Sequence, residues 1–504
     1  MSLRAQAVKN VTATWFALFV QAAVGFFLSP FILQHLGDEA FSMWVLVFAV
    51  TGYFGLLDFG IRSSIVKYTA KFTATCESEE LSRYLSTSFA FYGLVSIAVL
   101  ISTGIIFFRL DTLFHIPAST LETARMLFLL AGIGVALTFP LGVFAGALEG
   151  LQKFAWLQLS QVVVALVRAG LVVVALETGR GLVTIGAISV ILSVLSYVVF
   201  AGMALRLLPT RLSLRNVEGV AFRRMASYGF FALAILGAEK LRFQSDALVI
   251  GVSLSATAIT SFSIGARLTE YASYAVRSMS QIFTPMSSQF HATGDIQRLQ
   301  RTFIAGNRAC ALVTFPLCIL LVVLGKVIIE SWVGVRYLSS YPILLLLIIP
   351  RSLYLAQSSS IRILLGMGRH RVLASILVGE GVANLLLSVL LVRRFGVIGV
   401  ALGTAIPLAC TSLFFLPWHL CKVLDLPLSR SLKQSYGMPL ALCAPMTGLL
   451  VVLSNEFSVH NYGGLMLQVA VGALAYCIPL AGVLFSDSKR PRSWQVLSHL
   501  LEPK

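Results

Sequence analysis

Apolar runs of about 20 residues, separated by short polar breaks, recur from one end of the chain to the other. That is the length a helix needs to cross the hydrocarbon core of a bilayer. The pattern predicts fourteen spans, near 11–34, 41–61, 85–108, 123–147, 155–177, 182–205, 228–252, 258–283, 303–329, 341–365, 372–392, 398–420, 436–454 and 463–485. The connecting loops are short. The longest, near 62–84 and 206–227, are too small to house a soluble domain. The first run, from about Val11 to Leu33, is longer than the core of a signal peptide and flows into a second run.

Composition agrees. Hydrophobic residues make up 58% of the 504 and charged residues 12%, where a soluble domain carries roughly 25% charged. The mean hydropathy is +0.88. These values exclude a disordered chain, a disulfide scaffold and a nucleic-acid-binding domain, and they predict an all-α integral membrane protein whose first partner is the lipid bilayer. The net charge of +17 belongs to loops on the cytoplasmic side, as basic residues there set orientation. With the N-terminus inside, cytoplasmic segments hold 23 Lys and Arg, and opposite loops hold five: Arg109, Arg180, Arg336, Arg393 and Arg394. Both termini and the 206–227 loop are therefore expected in the cytoplasm. The seven cysteines include no CxxC spacing and read as packing residues. The seven histidines are scattered, so no metal cluster and no cofactor is expected.

A weak internal repeat divides the chain. Leu36–Phe72 lies on Leu254–Phe290 at a shift of 218, LEGLQKF at 148–154 on LLGMGRH at 364–370 at 216, and VTIGA at 183–187 on GVIGV at 396–400 at 213. The repeat sets span 1 on span 7 and span 6 on span 12, which predicts two six-helix lobes related by an axis along the membrane normal. The expected organisation is a lobe over 1–205, a cytoplasmic linker over 206–227, a lobe over 228–420, two extra helices over 421–485 and a cytoplasmic tail over 486–504. Facing lobes imply a cleft and alternating access, the architecture of a transporter.

Charges inside the spans mark function by default, because a charge at the bilayer centre costs about 2.5–3.5 kcal/mol. Ten cations fall there, among them Arg168, Lys240, Arg242, Arg267, Arg277, Arg308 and Arg351. Arg125, Lys326 and Arg362 lie near enough to a span end to snorkel. Five acids accompany them: Asp58, Glu239, Asp246, Glu270 and Glu380. Span 8 sets Ser263, Arg267, Glu270, Tyr274, Arg277 and Gln281 on one helical face, with Phe262, Ile264, Leu268 and Ala272 opposite. Span 10 aligns Arg351, Tyr354, Ser358 and Arg362, span 1 aligns Asn10, Thr14 and Gln21, and Asp58 stands one turn from Arg62. Internal pairing, such as Glu239 or Asp246 with Arg242 and Glu270 with Arg267, is the alternative use of these groups. It leaves a cation excess, and Arg binds phosphate oxygens in pairs through its planar fork. The residues thus point to a large anionic amphiphile as substrate, with Arg267, Arg277, Lys240, Arg242, Tyr274, Gln21, Arg168 and Arg351 as candidate cleft contacts. Asp58, Glu239, Asp246 and Glu270 are candidates for gating or for coupling to Na+ or H+. No GxxxxGK[ST], no HExxH and no loop large enough for catalytic residues occurs, so enzyme chemistry is not expected.

The stretch FILQHLGDEAFSMWVLVFAVTGYFGLLDFGIRSSIVKYTAKF, residues 31–72, carries an LG-[DE]-x-x-[FY] turn and a span closing in G-x-x-D-x-G. Through Leu36, Gly37, Asp38, Phe41, Gly55, Asp58 and Gly60, it resembles the polysaccharide (O-antigen type) flippases of the multidrug/oligosaccharidyl-lipid/polysaccharide exporter superfamily. LEGLQKF and FQSDALVIG resemble them too, and the likeness runs over roughly residues 5–420. It implies a V-shaped pair of lobes with a cleft lined by spans 1, 2, 7 and 8. It also implies transfer of a polyprenyl-pyrophosphate-linked glycan from the cytoplasmic to the outer leaflet of the bacterial inner membrane. A polysaccharide polymerase and chain-length machinery are candidate partners. A lipid II flippase, a cation-coupled multidrug exporter and a non-transporting scaffold of a polysaccharide assembly complex are the alternatives.

Overall fold

In the computed structural model, residues 3–208, 212–457 and 462–487 are described, and every regular element among them is helical. The helices are α1 (Leu3–Tyr53), α2 (Ile61–Ala74), α3 (Ser78–Leu113), α4 (Ala118–Gly150), α5 (Phe154–Glu177), α6 (Leu182–Leu207), α7 (Gly219–Phe243), α8 (Ser245–Ser253) and α9 (Ala256–Ser280). They continue with α10 (Phe283–Ala292), α11 (Ile296–Val323), α12 (Gly325–Val333), α13 (Ser340–Ala356), α14 (Ser358–Gly366), α15 (His370–Cys410), α16 (Leu416–Val423), α17 (Leu428–Glu456) and α18 (Tyr462–Asp487). Residues 488–504 of the expected tail, and the side chain of Asn10, lie outside the described residues.

Among the described residues nine helical segments are long and apolar enough to cross a membrane, or ten if the bent pair α13–α14 is one span. Two of the nine are too long for a single crossing. The segment Ala13–Asp58 has 46 residues, about 69 Å at 1.5 Å per residue, against roughly 30 Å of hydrocarbon. It breaks at Gly37, where φ is +77° and ψ 178°, a conformation only glycine adopts without strain. The LGD turn is therefore a helix break. The 54-residue segment His370–Val423 breaks likewise at Gly396. The segments expected as spans 7 and 8 are helical (α7–α8 and α9–α10) but are too polar to be counted on composition.

The repeat shows in the backbone. Left-handed residues end helices at Cys76 and Gly294, at Gln152 and Gly368, and at Gly179 and Gly396. Their shifts are 218, 216 and 217; the first two equal the offsets of the sequence match, and the third lies four residues from the 213 of VTIGA on GVIGV. Helix starts follow: Ser78 with Ile296, and Phe154 with His370.

Packing divides the chain into residues 1–260 and 261–504. The first unit includes α7 and α8, which pack on its other helices: the Ser64 hydroxyl donates to Met225 O (2.9 Å), Tyr53 to Lys240 O (3.3 Å), and His115 N–H to Gly251 O (3.2 Å). Within that unit, small residues let helices approach, as is usual in membranes. A Cβ on Gly150 of α4 would stand 2.7 Å from Thr69 Cβ and 2.8 Å from Val66 O on α2. In the second unit α17 and α18 close over α11, burying Phe315, Cys443, Met446 and Leu450. There the Arg308 guanidinium donates to Gln434 O (2.9 Å) and the Tyr476 hydroxyl to Leu312 O (2.7 Å).

One expected loop is a helix. Residues 61–74, read as part of a polar loop, form α2. They follow a short 3-10 turn, Phe54–Asp58, and two left-handed residues, Phe59 and Gly60 (φ +71°). The G-x-x-D-x-G pattern thus breaks the helix immediately after Asp58.

Candidate functional site

In the first unit, the break after Asp58 opens a cavity of about 390 Å³. Asp58 and Arg62 line it together with Tyr92 of α3, Thr138 and Phe139 of α4, and Tyr197 of α6. Asp58 accepts a short hydrogen bond from the Tyr92 hydroxyl and a weaker one from the backbone N–H of Arg62 at 3.4 Å. The Arg62 guanidinium reaches instead to Glu149 of α4, at 2.6 Å. Arg62 thus stands between two acids, its side chain on Glu149 and its backbone N–H on Asp58. The left-handed turn sends the Arg62 side chain toward α4, and Tyr92 supplies the donor at Asp58.

Further along the same unit, the α7–α8 break at Gln244 packs against α1. A Cβ on Gly52 would lie 2.9 Å from Gln244 Oε1 and 3.5 Å from Lys240 Nζ. Lys240 is half-buried and donates to Gln244 Oε1 at 2.8 Å. Arg242 is buried, 1% exposed, with its guanidinium 4.8 Å from the centre of the Phe243 ring. Asp246 is buried as well, and Glu239, Gln21 and Arg168 are half-buried.

In the second unit, α9 is amphipathic. Phe262, Ile264, Leu268, Ala272 and Val276 are buried in the unit's interior. That face is filled by protein packing, and it is tight: a Cβ on Gly265 would stand 3.0 Å from Leu344 N of α13. Arg267, Tyr274 and Arg277 are half-buried on the polar face and Glu270 is exposed there, while Ser263, expected on this face, is buried and Gln281 lies in the turn after the helix. The Tyr274 hydroxyl donates to Glu270 Oε1 at 3.0 Å. Arg351 is buried and donates through Nε to the Ser273 hydroxyl at 3.0 Å, tying α13 to α9. The stripe expected on span 10 does not persist as an open face. The helix bends by 43° between α13 and α14, and Arg351, Tyr354 and Ser358 are buried, with only Arg362 half-buried.

A family model described as polysaccharide biosynthesis protein matches residues 7–291, more than half of the chain. The chain belongs to this family. The match covers the LGD turn, the Asp58 break, the cavity and the whole of α9. Among curated proteins, the chain is 21% identical to the uncharacterised membrane protein EpsK of Bacillus subtilis (strain 168), over 82% of this chain and 83% of EpsK. It is also 21% identical to a Shigella flexneri protein named as a candidate O-antigen transporter, over 83% of this chain and 99% of that one. Among solved structures, the lipid II flippase MurJ in an inward closed conformation matches with a TM-score of 0.74 at 17% identity, over 96% of this chain and all of that one. An inward-facing multidrug resistance transporter of the MATE family and MOP superfamily matches with a TM-score of 0.66 at 14% identity, over 85% and 99%. The fold is that of these transporters.

Tyr92, Tyr197 and Glu149 were not singled out from sequence. Glu149 lies inside LEGLQKF, so its segment stood out while its role did not. Tyr92 and Tyr197 sit in apolar runs with no charged neighbour at helical spacing.

Proposed function

We propose that this protein is a flippase that carries a polyprenyl-pyrophosphate-linked oligosaccharide across the bacterial inner membrane by alternating access, with both termini in the cytoplasm. The observation that carries the reading is the polar face of α9. Arg267, Glu270, Tyr274 and Arg277 share one side of a helix whose other side is core. A helix with this division inside a membrane protein borders water or a polar ligand, because lipid solvates neither guanidinium nor carboxylate. Two arginines on that face suit a diphosphate, which accepts paired hydrogen bonds from each planar fork. Family membership and the named relatives support a glycan as the cargo. Arg242 and Arg351, being buried, serve here as internal supports. Asp58, Glu239, Asp246 and Glu270 are the acids available for coupling to Na+ or H+, and fourteen crossings is the topology that goes with this reading.

The test is identification of the lipid-linked species in a strain lacking the protein. Lipid-linked glycan should accumulate on the cytoplasmic face, and purified protein in liposomes should restore its movement. Accumulation of lipid II would transfer the reading to peptidoglycan precursor export. Unchanged lipid-linked pools would overturn it.

A further inference from the structure

The cavity beside Asp58 has chemistry unlike that of an anion site. Acid matches base around it: Asp58 and Arg62 in the wall, Glu149 behind Arg62, and Lys240 beside Gly52 with its ammonium on Gln244. A diphosphate would meet no surplus cation there. Nor is it a cage for a bare metal ion, which needs several oxygens converging at about 2–2.6 Å. At about 390 Å³ it falls in the size range of small-molecule sites. Its wall alternates hydroxyls (Tyr92, Tyr197, Thr138), a carboxylate, a guanidinium and the Phe139 ring. Hydroxyls that both donate and accept would find partners of each kind here, and a ring face would find an aromatic one.

The cavity is also built and not left over. Gly55 and Gly142 both line it, and a Cβ at either would meet nothing within 4 Å. These glycines are not needed for helix contact, so their lack of side chains keeps the space open. The second unit differs at the corresponding register. At the shift of 218, Asp58 falls on Val276 and Tyr92 on Cys310. Both are fully buried in an apolar cluster with Tyr354, Leu355 and Leu408. At these two positions one repeat buries apolar side chains where the other lines a polar void, so the void is not a requirement of the fold.

We infer that the Asp58–Tyr92–Tyr197 cavity of the first unit is a subsite for an uncharged sugar ring of the transported molecule. This rests on the lipid-linked glycan reading and extends it: the first unit reads the glycan through this cavity. The full-length protein in nanodiscs is titrated with two probes, lipid-linked oligosaccharide extracted from native membranes and bare polyprenyl pyrophosphate. Gly142→Val fills the cavity without touching a charge. It should weaken binding of the glycosylated probe tenfold or more and leave the bare probe within twofold. Tyr92→Phe, which removes one hydroxyl, should shift the same ratio in the same direction by a smaller factor. If Gly142→Val lowers the unfolding temperature, Gly142→Ala and Gly55→Ala give the same reading with one methyl each. Unchanged affinity for both probes, or equal loss of both, overturns the subsite. So does stabilisation of the wild type by NaCl alone that the filled cavity abolishes, which would mark a cation site. If the wild type binds neither probe, the lipid-linked reading itself falls and takes the subsite with it. If it binds both and the cavity variants behave as wild type, only the subsite falls.

Discussion

Glu149→Gln isolates the ion pair that holds Arg62 in the cavity wall. The carboxylate stands 2.6 Å from Arg62, and the two side chains are 24% and 43% exposed. Gln keeps the shape and one acceptor but removes the charge. Surface pairs contribute about 0–1 kcal/mol, and breaking a buried pair costs about 3–5 kcal/mol. At this partial exposure the expected loss is between those limits, about 1–2 kcal/mol. That is a factor of roughly five to thirty in the folding equilibrium. The assay is reversible unfolding in mixed micelles for Glu149→Gln, Arg62→Gln and the double variant. The double-mutant cycle should return a coupling of about 1–2 kcal/mol, because Arg62 and Glu149 lose the same interaction. Coupling below about 0.3 kcal/mol, the range of independent sites, would show that the pair does not hold α2 to α4. The reasoning that Arg62 serves Glu149 and not Asp58 would then fail.

Two further outcomes follow from the orientation and from α9. Val217, exposed in the linker before α7, should resist labelling from outside intact cells when changed to Cys in a background lacking the exposed Cys76, Cys410 and Cys477. Gly181→Cys, in an opposite loop, should label readily, and the reverse pattern would invert the topology. Arg267→Ala or Arg277→Ala should weaken binding of bare polyprenyl pyrophosphate about tenfold to a hundredfold, since hydrogen bonds to charged groups contribute about 1.5–3 kcal/mol. Lys at either position should recover part of it. Full activity of the double variant Arg267→Gln, Glu270→Gln would assign Arg267 to neutralising Glu270 instead.

Hydropathy made the membrane class legible, and the LGD turn was legible because a break of that kind demands a glycine. The duplication was faint in residue identity yet sharp in backbone, since left-handed helix ends recur at 76 and 294, 152 and 368, and 179 and 396. What escaped was whatever depends on contact between helices. The polarity of 61–74 hides α2, whose buried side (Ile61, Ile65, Phe72) is short and interrupted. Spacing put Asp58 and Arg62 within reach of each other, but a left-handed turn between them redirects the arginine. Tyr92 carries no signal in an apolar run and matters only because α3 brings its hydroxyl to Asp58. On span 10 the periodicity assumed a straight helix, and the bend at Gln357 turns the stripe into packing.

The two repeats share a backbone register but not an interior, and this difference can be measured by exchanging residues between matching positions. Val276 is fully buried among Cys310, Tyr354, Leu355 and Leu408. An aspartate there would sit in an apolar cluster, with an insertion cost of at least about 2.5–3.5 kcal/mol. Val276→Asp should therefore reduce the amount of folded protein sharply. Asp58→Val makes the opposite exchange. It removes the acceptor for the Tyr92 hydroxyl and the Arg62 N–H, but it faces a cavity in which the tyrosine hydroxyl can be solvated. At about 0.5–1.5 kcal/mol per ordinary hydrogen bond, its cost should be near 1–2 kcal/mol, and the protein should still insert. Fluorescence-detected size exclusion of the two variants measures the contrast directly. Equal abundance, or a greater loss from Asp58→Val, would mean that the polar void is a structural element of the first unit and not a site that the unit can empty and still fold.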